Sequence, residues 1–260
     1  VPIALVTGPT SGIGRGFAEE LARRGFSLVL VARDEGRLNE LAGQLLSDYG
    51  VRSEILVADL AVRADVDRVA ARLADDSAPI SALVNNAGFS LRSSFLRDSI
   101  DDEQRLLDVL VTAVLRLTHA VVPGMVAREH GMIINVSSIA SWLAGGTYSA
   151  AKSYVTVLSE SLNIELAGSG VRVIAVCPGF VRTEFHERAD IDVSGFPSWA
   201  WLDVATVVDQ AFKDLARNRS VSVAGPQYKA AATVLRNGPR AIGRLAAGAR
   251  NRNPRLGKRI

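Results

Sequence analysis

The stretch Ile3-Ala4-Leu5-Val6-Thr7-Gly8-Pro9-Thr10-Ser11-Gly12-Ile13-Gly14 decides the fold. Its first five residues form a short apolar run, the pattern of a buried strand. Beyond Gly14, Phe17, Ala18, Leu21 and Ala22 recur at helical spacing. The glycines therefore stand between a strand and a helix, the setting in which a glycine-rich loop takes a dinucleotide. One glycine permits the tight turn, one lets the backbone approach a pyrophosphate, and one lets helix and strand pack closely. Free N–H groups at the positive end of the helix dipole then bind the phosphates. The spacing is G-x-x-x-G-x-G rather than G-x-G-x-x-G, so the run alone also fits a strand-to-helix turn without a ligand. No G-K-[ST] follows, which argues against a nucleotide triphosphatase loop.

Outward from this stretch, strand-like runs recur at 27–32, 53–58, 82–85, 132–136 and 172–177. Helical patterns separate them near 35–48, 63–76, 101–128 and 148–167. Strictly alternating strands and helices imply a parallel sheet covered by helices on both faces. Right-handed crossovers make it doubly wound. The expected fold is α/β, a single Rossmann-type domain with about seven parallel strands. A chain of 260 residues is long enough to bury a full core in one domain. The catalytic domain is expected over 1–228, and 229–260 reads as a basic, partly amphipathic extension.

No apolar stretch is expected to approach a membrane span of about 20 residues, and no signal peptide is visible. The single cysteine, Cys177, excludes an intrachain disulfide and suits a reducing, cytoplasmic compartment. It reads as a core residue at a strand end. His119, His130 and His186 show no metal-ligand spacing, so no metal site is expected. Asn135-Val136-Ser137 and Asn218-Arg219-Ser220 match a glycosylation acceptor, but the first lies in an expected buried strand and neither has a secretory context.

Tyr148 and Lys152 are four residues apart at the start of a helical pattern, so both project from one face. A tyrosine normally keeps its proton to about pH 10. A neighbouring ammonium favours the phenolate and brings the group into useful acid–base range. Lys152 can also donate to a ribose hydroxyl, and a serine at the preceding strand end, Ser137 or Ser138, could hold a carbonyl oxygen.

Six elements in order carry a resemblance: Thr7-Gly8-x-x-x-Gly12-Ile13-Gly14, Asp59-Leu60, Asn85-Asn86-Ala87-Gly88, Asn135-Val136-Ser137-Ser138, Tyr148-x-x-x-Lys152 and Pro178-Gly179-x-x-x-Thr183. Together they resemble the short-chain dehydrogenase/reductase family over nearly the whole chain. The resemblance implies an oxidoreductase that passes a hydride between a nicotinamide and a carbonyl carbon. It implies Tyr148 as general acid or base, Lys152 supporting it, and Ser138 orienting the substrate. Cofactor contacts are implied for Gly8, Thr10, Ser11, Gly12, Ile13 and Gly14, and for Asp59 and Leu60 beside the adenine. Asn85, Ala87 and Gly88 line the cofactor, and Pro178, Gly179, Val181 and Thr183 hold its nicotinamide end. Two departures stand out. Leu110 occupies a position where the family usually has an asparagine that holds a relay water, and leucine cannot hydrogen-bond. The loop from Ser138 to Tyr148 is short, and its Trp142 and Leu143 either wall the pocket or only pack. Because of Leu110, a cofactor-binding sensor or scaffold with little turnover is the alternative to an enzyme.

The second strand ends Val31-Ala32-Arg33-Asp34. An acid at the strand end would suit the ribose 2′-hydroxyl of NAD, whereas Arg33 suits the 2′-phosphate of NADP. NADP(H) is therefore expected over NAD(H), with Thr10 and Ser11 adding hydroxyls and Asp34 starting the next helix.

Charge is segregated. The chain carries 30 basic and 27 acidic residues, yet eleven basic and no acidic ones lie beyond residue 214. Arg236, Arg240 and Arg244 would share one helical stripe. Such a segment is a solvated tail, a partner-binding arm or a peripheral membrane contact. No aromatic platform accompanies the charge, so nucleic acid is not expected. Residues 184–202 include Phe185, Ile191, Val193, Phe196, Trp199, Trp201 and Leu202 and read as a segment covering an apolar substrate. Helices 101–128 and 148–167 resemble those through which family members pair, implying a homodimer or homotetramer.

Overall fold

The computed structural model describes residues 1–91, 95–185 and 197–237. Among these the strands are β1 (Ile3–Thr7), β2 (Ser27–Ala32), β3 (Ser53–Val57), β4 (Ile80–Asn85), β5 (Gly131–Val136), β6 (Val171–Val176), β7 (Phe180–Val181), β8 (Trp201–Leu202) and β9 (Val221–Ser222). Seven of them form one sheet in the order β3-β2-β1-β4-β5-β6-β9, while β7 and β8 pair separately. Every neighbouring pair in the large sheet is parallel. The α-helices are α1 (Gly12–Arg23), α2 (Glu35–Tyr49), α3 (Arg63–Leu73), α4 (Ile100–Leu107), α5 (Val114–Ala127), α6 (Gly146–Glu165), α7 (Val204–Ala216) and α8 (Pro226–Asn237).

Strand alternation sends side chains to two separate cores. Ala4 and Val6 of β1 join Phe17 and Leu21 of α1, Leu38 of α2 and Val207 of α7 on one face. Leu5 of β1 joins Val66 of α3, Leu117 of α5 and Val173 of β6 on the other. The central strands are buried on both faces, which is why they read as continuous apolar runs. At the far edge Asp214 holds the short β9 in place. Its buried carboxylate accepts from Ser222 Oγ at 2.8 Å and from Gln210 Nε2 at 2.9 Å.

The helix expected over 101–128 is not uniform. Residues Asp108–Ala113 form a π-helical turn between α4 and α5, and Leu110 lies within it. By length and composition the run Ile100–Ala127 is apolar enough to cross a membrane, with a mean hydropathy of 1.7 over 18 residues. The expectation that no stretch comes near a span needs that correction. Leu106, Leu110, Leu117, Val121 and Met125 of this run are buried in the protein core.

The boundary expected between 228 and 229 falls inside α8, whose Tyr228 and Ala232 are buried. Residues 238–260, including Arg240 and Arg244, lie outside the described residues.

Candidate active site

The chain builds β2 and β3 on one side of β1 and then crosses to place β4 on the other. A crevice opens where strand order reverses, at the carboxyl ends of β1 and β4. The loops at that crevice are Gly8–Ser11 and Asn86–Leu91. Thr7 ties them together: its Oγ1 accepts the N–H groups of Asn86 and Ala87, each at 3.0 Å. Asn86 Nδ2 donates back to the carbonyls of Thr7 (3.0 Å) and Gly8 (2.9 Å). Asn86, the second residue of the Asn85–Gly88 motif, thus serves to join the two loops. Gly14 is required by this packing, because a Cβ there would sit 2.2 Å from the Gly8 carbonyl oxygen and from Asn86 Nδ2.

The amino end of α1 is suited to an external anion. Ser11 stands at the N-cap without capping through its side chain, and the first turn holds no acid. Helix α2, by contrast, is capped from within by Asp34, which accepts the Arg37 N–H at 3.0 Å. Gly12 adopts φ +54°, and a Cβ there would meet Thr183 Cγ2 at 3.0 Å. The glycine loop and the Pro178–Thr183 segment therefore meet directly. These residues fit a dinucleotide: a glycine cradle with no room for side chains, at a helix start that lacks an acid of its own.

Arg33 is exposed at the end of β2, and its charge reaches Asp59. Burial, the largest influence, pushes the Asp59 carboxyl up. The Ala61 N–H, the Arg105 guanidinium and Arg33 outweigh it and hold the group below its usual range. Arg105 pairs with Asp59 at 2.7 Å. Sequence reasoning missed it, since nothing in the local pattern links an arginine on α4 to an acid 46 residues earlier. Leu60 is buried in the core.

On the catalytic side, polar contacts fix α6 against the sheet. Ser137 Oγ donates to the Lys152 carbonyl at 2.9 Å and lies 2.8 Å from Thr156 Oγ1. Asn135 Nδ2 donates to Ser159 Oγ at 2.9 Å, and Asn85 Nδ2 donates to Asn135 Oδ1 at 2.8 Å. With α6 so placed, Lys152 is buried, donates to the Val136 carbonyl at 2.8 Å and lies 5.8 Å from the Tyr148 ring centre. Burial pulls the Lys152 ammonium down to about 8. Ser138 starts the 3-10 turn Ile139–Trp142, its Oγ accepting the Ala140 N–H at 3.1 Å. That leaves the serine hydroxyl hydrogen to donate elsewhere.

Behind the pair lies an apolar wall. Leu110 clusters with Leu106 and Ala151, with Phe89 and Tyr148 packed against them. A Cβ on Gly88 would lie 2.8 Å from Leu110 Cδ2 and 3.8 Å from Lys152 Nζ, so the leucine stands near the ammonium. Phe185 closes another side, its ring 6.2 Å from that of Tyr148. Trp142 carries the Arg236 guanidinium 5.8 Å from its ring. Pro178 and Val181 are buried, and Val181 pairs with Leu202 across β7 and β8. Trp201 packs on Phe180 at 5.6 Å, while Trp199 is exposed. Ile191, Val193, Phe196 and His186 lie outside the described residues. Cys177 is buried, and burial pushes its thiol up to about 11. Among the described residues no group of three or more potential metal ligands converges.

Comparison with known proteins points to one family. The family model described as short chain dehydrogenase matches residues 2–193. The very-long-chain 3-oxoacyl-CoA reductase of Anas platyrhynchos is 35% identical over 192 residues, 71% of this chain and 61% of the duck protein. Among solved structures, a short-chain dehydrogenase from Sphingobium yanoikuyae in complex with NADPH is 38% identical. It superimposes with a TM-score of 0.82 over 91% of this chain and 94% of that one. The bulky-bulky ketone specific alcohol dehydrogenase from Comamonas testosteroni is 32% identical, with a TM-score of 0.78 over 92% and 93% of the two chains.

Proposed function

Since the chain belongs to the short-chain dehydrogenase/reductase family and is therefore an oxidoreductase, we propose that it interconverts a bulky, apolar carbonyl and its alcohol with NADP(H). The observation that carries this reading is the buried Lys152 ammonium, 5.8 Å from the Tyr148 ring beside the switch-point crevice. The glycine loop, Asp59, the Asn85–Gly88 loop and the Pro178–Thr183 segment would hold the cofactor, which when bound supplies or takes up the hydride. Ser138 donates to the carbonyl oxygen and polarises it. Tyr148 then delivers its phenolic proton to that oxygen as the alcohol forms, and takes it back in the reverse direction. Lys152 stabilises the resulting phenolate.

Arg33 supports NADP(H) over NAD(H), and the Sphingobium neighbour was solved with NADPH. Leu110, Phe89 and Phe185 around Tyr148 support an apolar substrate. The names of the duck and Comamonas relatives point the same way. The single buried cysteine suits a cytoplasmic setting, and the basic residues beyond 237 suit peripheral contact with an anionic membrane. One specific observation favours a second reading, a cofactor-binding sensor: Leu110 puts a methyl near Lys152 where a polar relay would otherwise stand.

The test is turnover of a ketone and aldehyde series of increasing chain length with NADPH, in the wild type and in Tyr148→Phe. Turnover is expected to rise with apolar size and to fall by about 100-fold or more in the variant. Near-normal turnover of Tyr148→Phe overturns the role of Tyr148. A preference for small polar or sugar-like substrates overturns the apolar pocket. Tight NADPH binding without turnover on any carbonyl selects the sensor.

A further inference from the structure

Tyr228 touches two segments of the candidate site that are distant in sequence, and no motif marks it. It lies in the first turn of α8 and is buried. Its ring lies flush on Gly179: a Cβ at that glycine would come within 2.1–2.4 Å of the ring carbons. Its hydroxyl accepts the Phe180 N–H at 3.0 Å and donates to the Ala200 carbonyl. Phe180 begins β7, and Ala200 immediately precedes β8. One phenol oxygen thus joins the two ends from which the chain between residues 182 and 200 departs. The same ring backs the Pro178–Gly179 corner. Two further contacts reinforce that base: Gln227 Nε2 donates to the Trp199 carbonyl at 3.0 Å, and the Arg182 guanidinium lies 5.8 Å from the Trp201 ring.

The geometry points to Tyr228 as a positioning residue, which sets the Pro178–Phe180 corner against Ala200 and so aligns the nicotinamide end of the cofactor site. This rests on the reading of that site as an NADP(H) site. Without the hydroxyl, the Phe180 N–H and Ala200 carbonyl lose their shared partner, and a buried unpaired polar group is costly. The corner then relaxes while the adenine end, formed by β2 and β3, is untouched. The role is separable from general stability because it acts on one half of a single ligand.

The experiment compares Tyr228→Phe with the wild type by calorimetric titration of NADPH and of adenosine 2′,5′-bisphosphate, which carries only the adenine half. The variant is expected to bind NADPH about fivefold or more weakly, the scale of one lost hydrogen bond, with bisphosphate affinity unchanged. In turnover the NADPH KM should rise while kcat stays within about twofold, as for lost cofactor binding rather than lost chemistry. Equal weakening of both ligands, or of neither, overturns the proposal. Should the variant not fold, hydrogen exchange of the Phe180 amide in the wild type decides. Protection like that of β6 amides supports the bond, and loop-like exchange overturns it. A wild type that binds neither ligand refutes the NADP(H) reading instead, leaving the Tyr228 contacts to be judged by the exchange measurement.

Discussion

Arg33 and Asp34 adjoin at the end of β2 with opposite charges and opposite uses. The Asp34 carboxylate is committed to capping α2, while the Arg33 charge is close enough to help lower the Asp59 carboxyl. On the NADP(H) reading, Arg33→Asp should weaken NADPH binding about 10- to 100-fold and leave NADH binding nearly unchanged, since it would remove a charge-assisted contact to the 2′-phosphate that NADH lacks. Titrating both cofactors into both proteins checks this, and an equal loss for the two refutes the assignment. At this scale the sequence was most readable where spacing carries the chemistry. Tyr148 and Lys152 share a helix face because they are four apart, and Ser138 follows the end of β5 by two residues, at the start of a 3-10 turn. Arg105 and Tyr228 were not readable, because their roles exist only through partners 46 and 48 residues away.

Helices α5 and α6 each leave an apolar stripe uncovered. On α6, Tyr154, Val157 and Ile164 are exposed, Val157 by 64% and Ile164 by 76%. On α5, Leu115 and Val126 are exposed on the turn pattern that also carries His119 and Val122. These stripes support pairing of two copies across α5 and α6, in a dimer or tetramer. Light scattering of the wild type should give at least a dimer. Val157→Glu should shift it toward monomer, because a carboxylate would be desolvated in the interface. A wild type that stays monomeric at high concentration contradicts the idea. The strands of the large sheet were legible to within two residues up to β6, since buried parallel strands are bounded by turn residues. The two-residue strands β7, β8 and β9 were not, being too short for a period. The π-turn at Asp108–Ala113 was hidden because Leu106, Val109, Leu110, Ala113 and Leu117 carry an apolar face at helical spacing straight through it.

Global stability should carry the mark of two buried groups. Lys152 is held at about 8 against an ordinary 10.5. Between those values the unfolded chain binds the extra proton, so folding becomes more favourable as pH rises from 8 to 10.5. Cys177 is held at about 11 against an ordinary 9.0. There the folded chain keeps the proton, so stability falls from pH 9 to 11. The two contributions are each on the order of 3 kcal/mol and opposed. Their sum should rise by about 1 kcal/mol from pH 8 to 9 and then level. Urea unfolding of Cys177→Ala minus wild type should show a difference that grows from pH 9 to 11. A difference independent of pH would contradict the burial of the thiol.

The two borders of the sheet differ in kind from its middle. An outer strand shows a row of unsatisfied backbone groups to any passing chain. At one border β9 spans only Val221–Ser222, too short to template another strand. At the other, β3 carries Glu54, whose carboxylate pairs with Arg72 at 2.9 Å. A recruited strand would have to form beside that charge between neighbours Ser53 and Ile55. That charge directly precedes Ile55, Leu56 and Val57, the apolar part of the border strand. A charge so placed is one of the devices that discourage edge-to-edge pairing of sheets.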